Sequence, residues 1–195
     1  MTYSSNVLIL RHGESEWNAL GKWQGQANPP LTIKGKKQAE IAGNNLIDTF
    51  DLIAASDLER ATETARIIAS HQPNTNVSLH SELRERDAGP WEGLTRNEIE
   101  LKYPGAISKR LWPNGYEHDE TVLQRVLPIL HHFASLNEKI LVVAHGGLIR
   151  ALDRSIGAPD LPIPNLGGRW YQIGASITYG AQINLVSANA EINVE

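Results

Sequence analysis

The chain has 195 residues, an apolar fraction of 41% and a formal net charge of −4. That predicts one soluble globular domain spanning 1–195, with a sizeable core and no room for two comfortable domains. The acidic balance gives no reason to expect nucleic acid or an anionic membrane as a partner, and the absence of cysteine excludes disulfides and thiolate metal sites. No apolar run reads as a signal peptide or a membrane span, so a cytoplasmic location is the expectation.

In chain order, the apolar run at 7–10 predicts a buried strand. Thr32 is a plausible N-cap for a helical segment over 31–50, with Ala39, Ala42, Leu46 and Ile47 at helical spacing. Residues 52–55 read as a second buried strand, 59–70 as a helix with Ala61, Ala65 and Ile68 on one face, and 77–79 as a short strand. The stretch 81–118 is richer in Gly, Pro and charge, with one short helix at 95–101. An amphipathic helix follows at 121–136, although Pro128 inside it should cost about 3 kcal/mol unless it starts or kinks a turn. Residues 140–144 form the clearest strand, with a helix at 148–156 behind it. In the tail, 171–173 and 183–186 alternate as antiparallel edge strands do. No internal repeat divides the chain. Strands alternating with helices predict an α/β fold: a mainly parallel central sheet with helices on both faces, three layers deep, with an antiparallel edge. The all-apolar strands fit full burial better than half-exposure.

Two histidines, His12 and His145, each stand just past a buried strand and each precede glycine. Ligands of open α/β sheets bind at the carboxyl ends of strands, so the pattern predicts two imidazoles at one sheet edge. A histidine that attacks phosphorus must be neutral, with one ring nitrogen presented and the other held by a hydrogen bond. Gly13 is expected to let backbone approach an anion. Arg11 offers a planar fork matched to phosphate oxygens, and Ser15 and Asn18 add uncharged donors. Arg60 falls on the first turn of a helix, where it opposes the macrodipole. It either reaches the same edge as His12 or pairs with Glu63, three residues on. Among Glu85, Asp87 and Glu92, one carboxylic acid could protonate a departing alkoxide; composition does not choose. His145-Gly146-Gly147, between a strand and a helix, places backbone N–H groups and an imidazole at an anion site. His131 and His132 are adjacent rather than one turn apart and no ligand-spaced cluster recurs, so no metal is expected.

Taken together, Arg11-His12-Gly13-Glu14, Asn18, the segment from Gly25 to Thr32 with Gly35 and Gln38-Ala39, Ser56-x-Leu58-x-Arg60-Ala61, Leu83-x-Glu85 with Gly89-x-Trp91-Glu92-Gly93, and His145-Gly146-Gly147-x-Ile149-Arg150 resemble the histidine phosphatase superfamily, in its phosphoglycerate mutase-like branch. The likeness runs from Val7 to about Asn165. It implies a phosphoglycerate mutase-like fold and a metal- and cofactor-free ping-pong phosphoryl transfer. His12 would be phosphorylated, with Arg11, Asn18, Arg60, His145 and Gly146 around the phosphoryl group and Glu85 as proton donor. Asn28 stands where the family commonly has aspartate, and Ala88 where it often has an aromatic; both bear on specificity. Candidate substrate-binding residues are Ser15, Trp23, Gln24, Arg84 and Arg110. Trp17, Trp91, Trp112 and Tyr116 either line the entrance or pack the loop region, and Arg86 lies nearby. The family's mutases resemble longer chains with an insertion before the second histidine. Here 59 residues, positions 86–144, separate Glu85 from His145, which by analogy favours hydrolysis in an open pocket. The expected activity is a phosphomonoesterase on a small phosphorylated metabolite, a sugar phosphate or phosphoglycerate-like ester. A cofactor-dependent phosphoglycerate mutase and a non-catalytic phospho-ligand sensor are the alternatives, and a homodimer is left open.

Overall fold

The computed structural model describes residues 3–46, 48–73 and 76–186. Six strands form one sheet in the order β3-β2-β4-β1-β5-β6, with β1 at Ser5–Arg11, β2 at Leu52–Ser56, β3 at Val77–His80, β4 at Lys139–Ala144, β5 at Gly167–Ile173 and β6 at Ile177–Asn184. The first four in that order pair in parallel, and β5 and β6 add antiparallel. The expected mainly parallel sheet with an antiparallel edge is therefore what forms.

Side-chain alternation splits β1 between two cores. Val7 and Ile9 face α5 (Asp119–Leu136) and α6 (Gly146–Ser155), in a cluster with Val126, Leu130, Leu148 and Leu152. Leu8 and Leu10 face α2 (Ile33–Asn45) and α3 (Glu59–Ala69), with Ala42, Ala61, Ala65 and Ile68. All four β1 side chains are fully buried, and each such side chain is worth about 1.5–3 kcal/mol of transfer free energy. This two-sided burial is why the strands read as unbroken apolar runs. A smaller cluster of Ala88, Trp91, Ile99 and Ala106, with Trp23 and Trp112 packed against it, builds a cap together with the short helices α1 (Glu16–Ala19) and α4 (Arg96–Lys102).

Several boundaries differ from the sequence expectation, for physical reasons. Thr32 does cap α2, accepting from the Gly35 N–H, but the helix stops at Asn45. Leu46 leaves helical geometry and Phe50 turns in to stack on Trp170 at 6.2 Å, so tertiary burial outweighs continued helical pairing; Ile47 lies outside the described residues. Helix α5 begins at Asp119 and runs unbroken through Pro128. Pro128 and Gln124, whose carbonyl loses its helical partner, are both exposed, so the break in helical pairing falls on the solvent side rather than in the core. The tail needs correction: β5 is not an edge strand but lies between β1 and β6, and β6 starts at Ile177 and ends before Leu185. Close approach of β5 to β1 rests on Gly168, where a β-carbon would lie 2.1 Å from the Ile9 carbonyl oxygen.

One consequence of this topology positions the site. β1 and β4 are parallel neighbours with Arg11 opposite Ala144, and the segments that follow them diverge to opposite faces, towards α2 and α6. That is a topological switch point, where a crevice opens at the carboxyl edge.

Candidate active site

Because Arg11 and Ala144 share a register position, the next residue on each strand is a histidine. The His12 N–H donates to the Ala144 carbonyl at 3.0 Å, and the two imidazoles meet edge to face with centroids 5.2 Å apart. The two imidazoles expected at one sheet edge are thus neighbours. Nδ1 of His12 donates to the Gly13 carbonyl at 2.6 Å, and the Nε of Arg60 donates to Nε2 at 3.3 Å. A guanidinium only donates, so Nε2 carries the lone pair and the tautomer is set.

Arg60 is fully buried and points from the first turn of α3 into the crevice. It does not pair with Glu63, which binds Lys36 at 2.7 Å. Its other donors reach the carbonyls of Ala27 at 2.7 Å and Gly25 at 2.9 Å, so it also pins the loop before α2. Asn28 caps α3 from that loop, accepting from the Glu59 N–H at 2.8 Å. Arg11 leans along the other side, donating to the Ile163 carbonyl at 2.8 Å.

Glu85 reaches the N-terminus of α6. One carboxylate oxygen accepts from the Gly147 N–H and the other from the Arg86 N–H, both at 2.8 Å. Residue 147 must be glycine for this, since a β-carbon there would sit 2.3 Å from the Glu85 carboxylate. Asp87 instead accepts from the Gly89 N–H, and Glu92 from the Gln26 N–H. Of the three acids, only Glu85 lines the cavity.

That cavity has a volume of about 520 Å³. Its floor holds Arg11, His12, Arg60, Glu85 and Gly146, and its walls include Trp23, Gln24, Trp112, Tyr116 and Arg110. Trp112 and Tyr116 stack at 4.5 Å with their planes 8° apart. Trp91 is core rather than wall, fully buried against Trp23, and Trp17 stands outside the lining, beneath Lys22.

The electrostatics are short of negative charge. Burial first, and then Arg60 and Arg11, hold His12 well below the ordinary imidazole range, against the opposing bond to Gly13. His145 is depressed for the same leading reason, with Arg60, His12, Arg125 and Arg11 adding to it. Arg60 itself is lowered to about 10 by burial, partly offset by Glu85 and Glu92. Burial and Arg150 lower Arg11. Both ring nitrogens of His145 are buried without a hydrogen-bond partner among the described residues, an arrangement that costs about 1–3 kcal/mol per group until something fills it. Neutral imidazoles, crowded guanidiniums and an unsatisfied donor together suit a tetrahedral oxyanion.

Two substrate-binding candidates are corrected. Ser15 is a helix cap: it accepts from the Asn18 N–H and donates to Gln24 Oε1 at 2.7 Å, so it orients a wall residue without forming wall. Arg84 faces away, forked onto Asp57 at 2.7 and 2.6 Å. Asn18 closes the same capping box and accepts from Asn165 Nδ2 at 3.2 Å; like His145, it stands behind the residues that line the cavity. Gly13 meets a different need from the one expected: a β-carbon there would lie 2.5 Å from the Gly35 carbonyl oxygen, so it serves loop-to-helix packing.

Sequence reasoning missed other residues. Arg150, four residues beyond Gly146 on α6, lines the cavity, and the i, i+4 spacing was its available signal. Asn165, whose Nδ2 donates to the His12 carbonyl at 2.9 Å, carries no local signal. Neither does Asp119, which bridges Arg86 and Arg154. Among the described residues no group of three or more His, Asp or Glu gathers as metal ligands.

Comparison with known proteins agrees with this geometry. The family model described as histidine phosphatase superfamily (branch 1) matches residues 7–167. A glucosyl-3-phosphoglycerate phosphatase of Mycolicibacterium vanbaalenii is 36% identical over 189 residues, 86% of this chain and 83% of that one. A phosphoglycerate mutase of Schizosaccharomyces pombe is 36% identical over 166 residues, 75% of this chain and 77% of that one. Among solved structures, a mycobacterial glucosyl-3-phosphoglycerate phosphatase complexed with VO3 superposes with a TM-score of 0.77 at 27% identity, covering 95% of this chain and 100% of that one.

Proposed function

The chain belongs to the histidine phosphatase superfamily, branch 1, and from that premise we propose that it is a metal-independent phosphomonoesterase working through a phosphohistidine. The observation that carries the reading is the lone pair of His12 Nε2 held beside Arg60 and His145, with the Glu85 carboxyl on the same cavity. Nε2 attacks phosphorus in line, a P–N bond forms and the P–O bond to the leaving group breaks. Glu85, in its acid form, gives its proton to the departing oxygen. Water then attacks the phosphohistidine, Glu85 takes a proton from that water, the P–N bond breaks and inorganic phosphate leaves. Arg11 and Arg60 compensate charge on the equatorial oxygens throughout, and neutral His145 donates a hydrogen bond to one of them, which is where such transfers gain most.

The substrate is a small phosphorylated metabolite, a sugar phosphate or phosphoglycerate-like ester. Supporting this are the relative named for glucosyl-3-phosphoglycerate, a cavity of about 520 Å³ that falls in the range of small-molecule sites, and the stacked Trp112 and Tyr116 on its wall. Arg110 and Arg150 also line it, cationic groups suited to a second anionic function on the ligand. The enzyme acts as a single domain in the cytoplasm, without nucleic-acid or membrane partners; no described helix is long and apolar enough to cross a membrane.

A panel of phosphorylated metabolites with phosphate release as readout tests the reading, run beside His12→Ala and acid-quench trapping of radiolabelled enzyme. Release that depends on His12, with acid-labile label on the protein, is expected. Binding without turnover or label would make the chain a phospho-ligand sensor. Relatives named as phosphoglycerate mutases support a second reading. Isomerisation of 3-phosphoglycerate outrunning phosphate release, and dependent on added bisphosphoglycerate, would establish it.

A further inference from the structure

Arg125 on α5 lies outside the cavity lining, yet all five of its N–H groups are used. Nε donates to Glu117 Oε1 at 2.8 Å, and one NH2 group of the guanidinium donates to Glu117 Oε2 at 2.9 Å and to the Glu85 carbonyl at 3.2 Å. The other NH2 group donates to the carbonyls of Glu82 at 2.6 Å and Arg84 at 2.8 Å. Glu117 continues the strap on the far side of Glu85: Oε2 also accepts from the Asp87 N–H at 3.1 Å, and the Glu117 N–H donates to the Asp87 carbonyl at 2.9 Å. The main chain is thus tied at 82, 84, 85 and 87, around a residue whose side chain must meet the Gly147 N–H.

From this geometry we infer that Arg125 and Glu117 are positioning residues for the proton donor, holding the Glu85 backbone so that its carboxyl faces the leaving oxygen. The inference rests on the reading of Glu85 given above. Five acceptors reached from three nitrogens suit a guanidinium and no other side chain; lysine has three donors and no fork. Loosening the strap leaves Nε2 of His12 and its cationic neighbours in place and blurs only the donor's aim. A small misplacement of a catalytic group is costly in rate even when the group itself is retained.

The test compares kcat/KM for an alkyl ester, glycerol 2-phosphate, with that for p-nitrophenyl phosphate, whose leaving group needs little protonation. This parameter covers phosphoryl transfer up to departure of the leaving group. Arg125→Lys, which keeps the positive charge near His145, and Glu117→Gln are each expected to lower the alkyl value about 10- to 100-fold while the aryl value stays within about threefold. Equal losses on both substrates, or no loss on the alkyl ester, would overturn the inference. Glu85→Gln is run in parallel. If it shows the leaving-group bias and the strap variants do not, the strap is merely structural; if it shows none, the reading of Glu85 and this inference fall together. Should Arg125→Lys fail to fold by circular dichroism, Glu117→Gln alone decides, since it retains an Oε1 acceptor and the guanidinium's carbonyl bonds.

Discussion

Arg60 Nε points its hydrogen at His12 Nε2 across 3.3 Å, so the group that would bind the incoming phosphoryl oxygens already sets which ring nitrogen holds the lone pair. The same guanidinium spans from that nitrogen to the Gly25 and Ala27 carbonyls. One buried cation therefore links nucleophile, oxyanion site and loop.

Removing it should affect both activity and stability. Arg60→Ala is expected to lower kcat/KM about 10²- to 10³-fold, the usual cost of losing one preorganised oxyanion donor. It should also cost about 1–3 kcal/mol in urea unfolding, because the buried Gly25 carbonyl and the half-buried Ala27 carbonyl lose their donor. Arg60→Lys should not restore activity, since the three donors of an ammonium radiate from one nitrogen and cannot span acceptors met by three separate guanidinium nitrogens. Near-normal turnover in either variant would remove Arg60 from the oxyanion site.

The two depressed imidazoles give a signed pH dependence. Burial holds His12 and His145 well below the ordinary 6.5, so both are neutral in the fold, whereas the unfolded chain takes up their protons as pH falls through that value. Stability from this source is complete above 6.5 and declines as pH falls below it, towards the depressed folded values, with a slope approaching about two protons. Urea midpoints at about pH 7.5 and about pH 5.5 should show the decline, and His145→Gln should remove roughly half of it. A pH-independent midpoint across that interval would mean that the imidazoles are not buried neutral. Activity on an aryl phosphate should not halve at pH 6.5, because the nucleophile stays deprotonated there.

Gly13 is a packing requirement. With a β-carbon 2.5 Å from the Gly35 oxygen, Gly13→Ala should push the loop off α2 and cost about 1–3 kcal/mol, read as a fall in Tm by calorimetry. His12 should lose aim with it, since the Gly13 carbonyl holds Nδ1. An unchanged Tm would show that the loop relaxes freely.

Chelation separates two chemistries. If guanidiniums and imidazoles carry the phosphoryl charge, exhaustive EDTA treatment followed by gel filtration should leave phosphate release unchanged. Loss of activity, restored by a divalent ion, would require a Lewis acid in the cavity.

Much of the molecule was readable along the chain because its signals are local. Thr32 ahead of a helical pattern and the apolar run at 140–144 depend on neighbours a few residues away, and both appear at their places. Local motifs drew attention to His12, Arg60 and His145 for the same reason, whereas only the family resemblance singled out Glu85 from Asp87 and Glu92. What folding alone decided is which distant groups meet. Parallel pairing of β1 with β4 sets the two histidines side by side. A buried arginine chose His12 over Glu63, Arg84 turned outward to Asp57, and Ser15 became a cap. The two arginine outcomes depend on strand order, on burial and on partners more than a dozen residues away, whereas Ser15 caps locally through Asn18, three residues on. Periodicity and capping act only over the next turn, so they specify the elements and leave the company each side chain keeps to the packed whole.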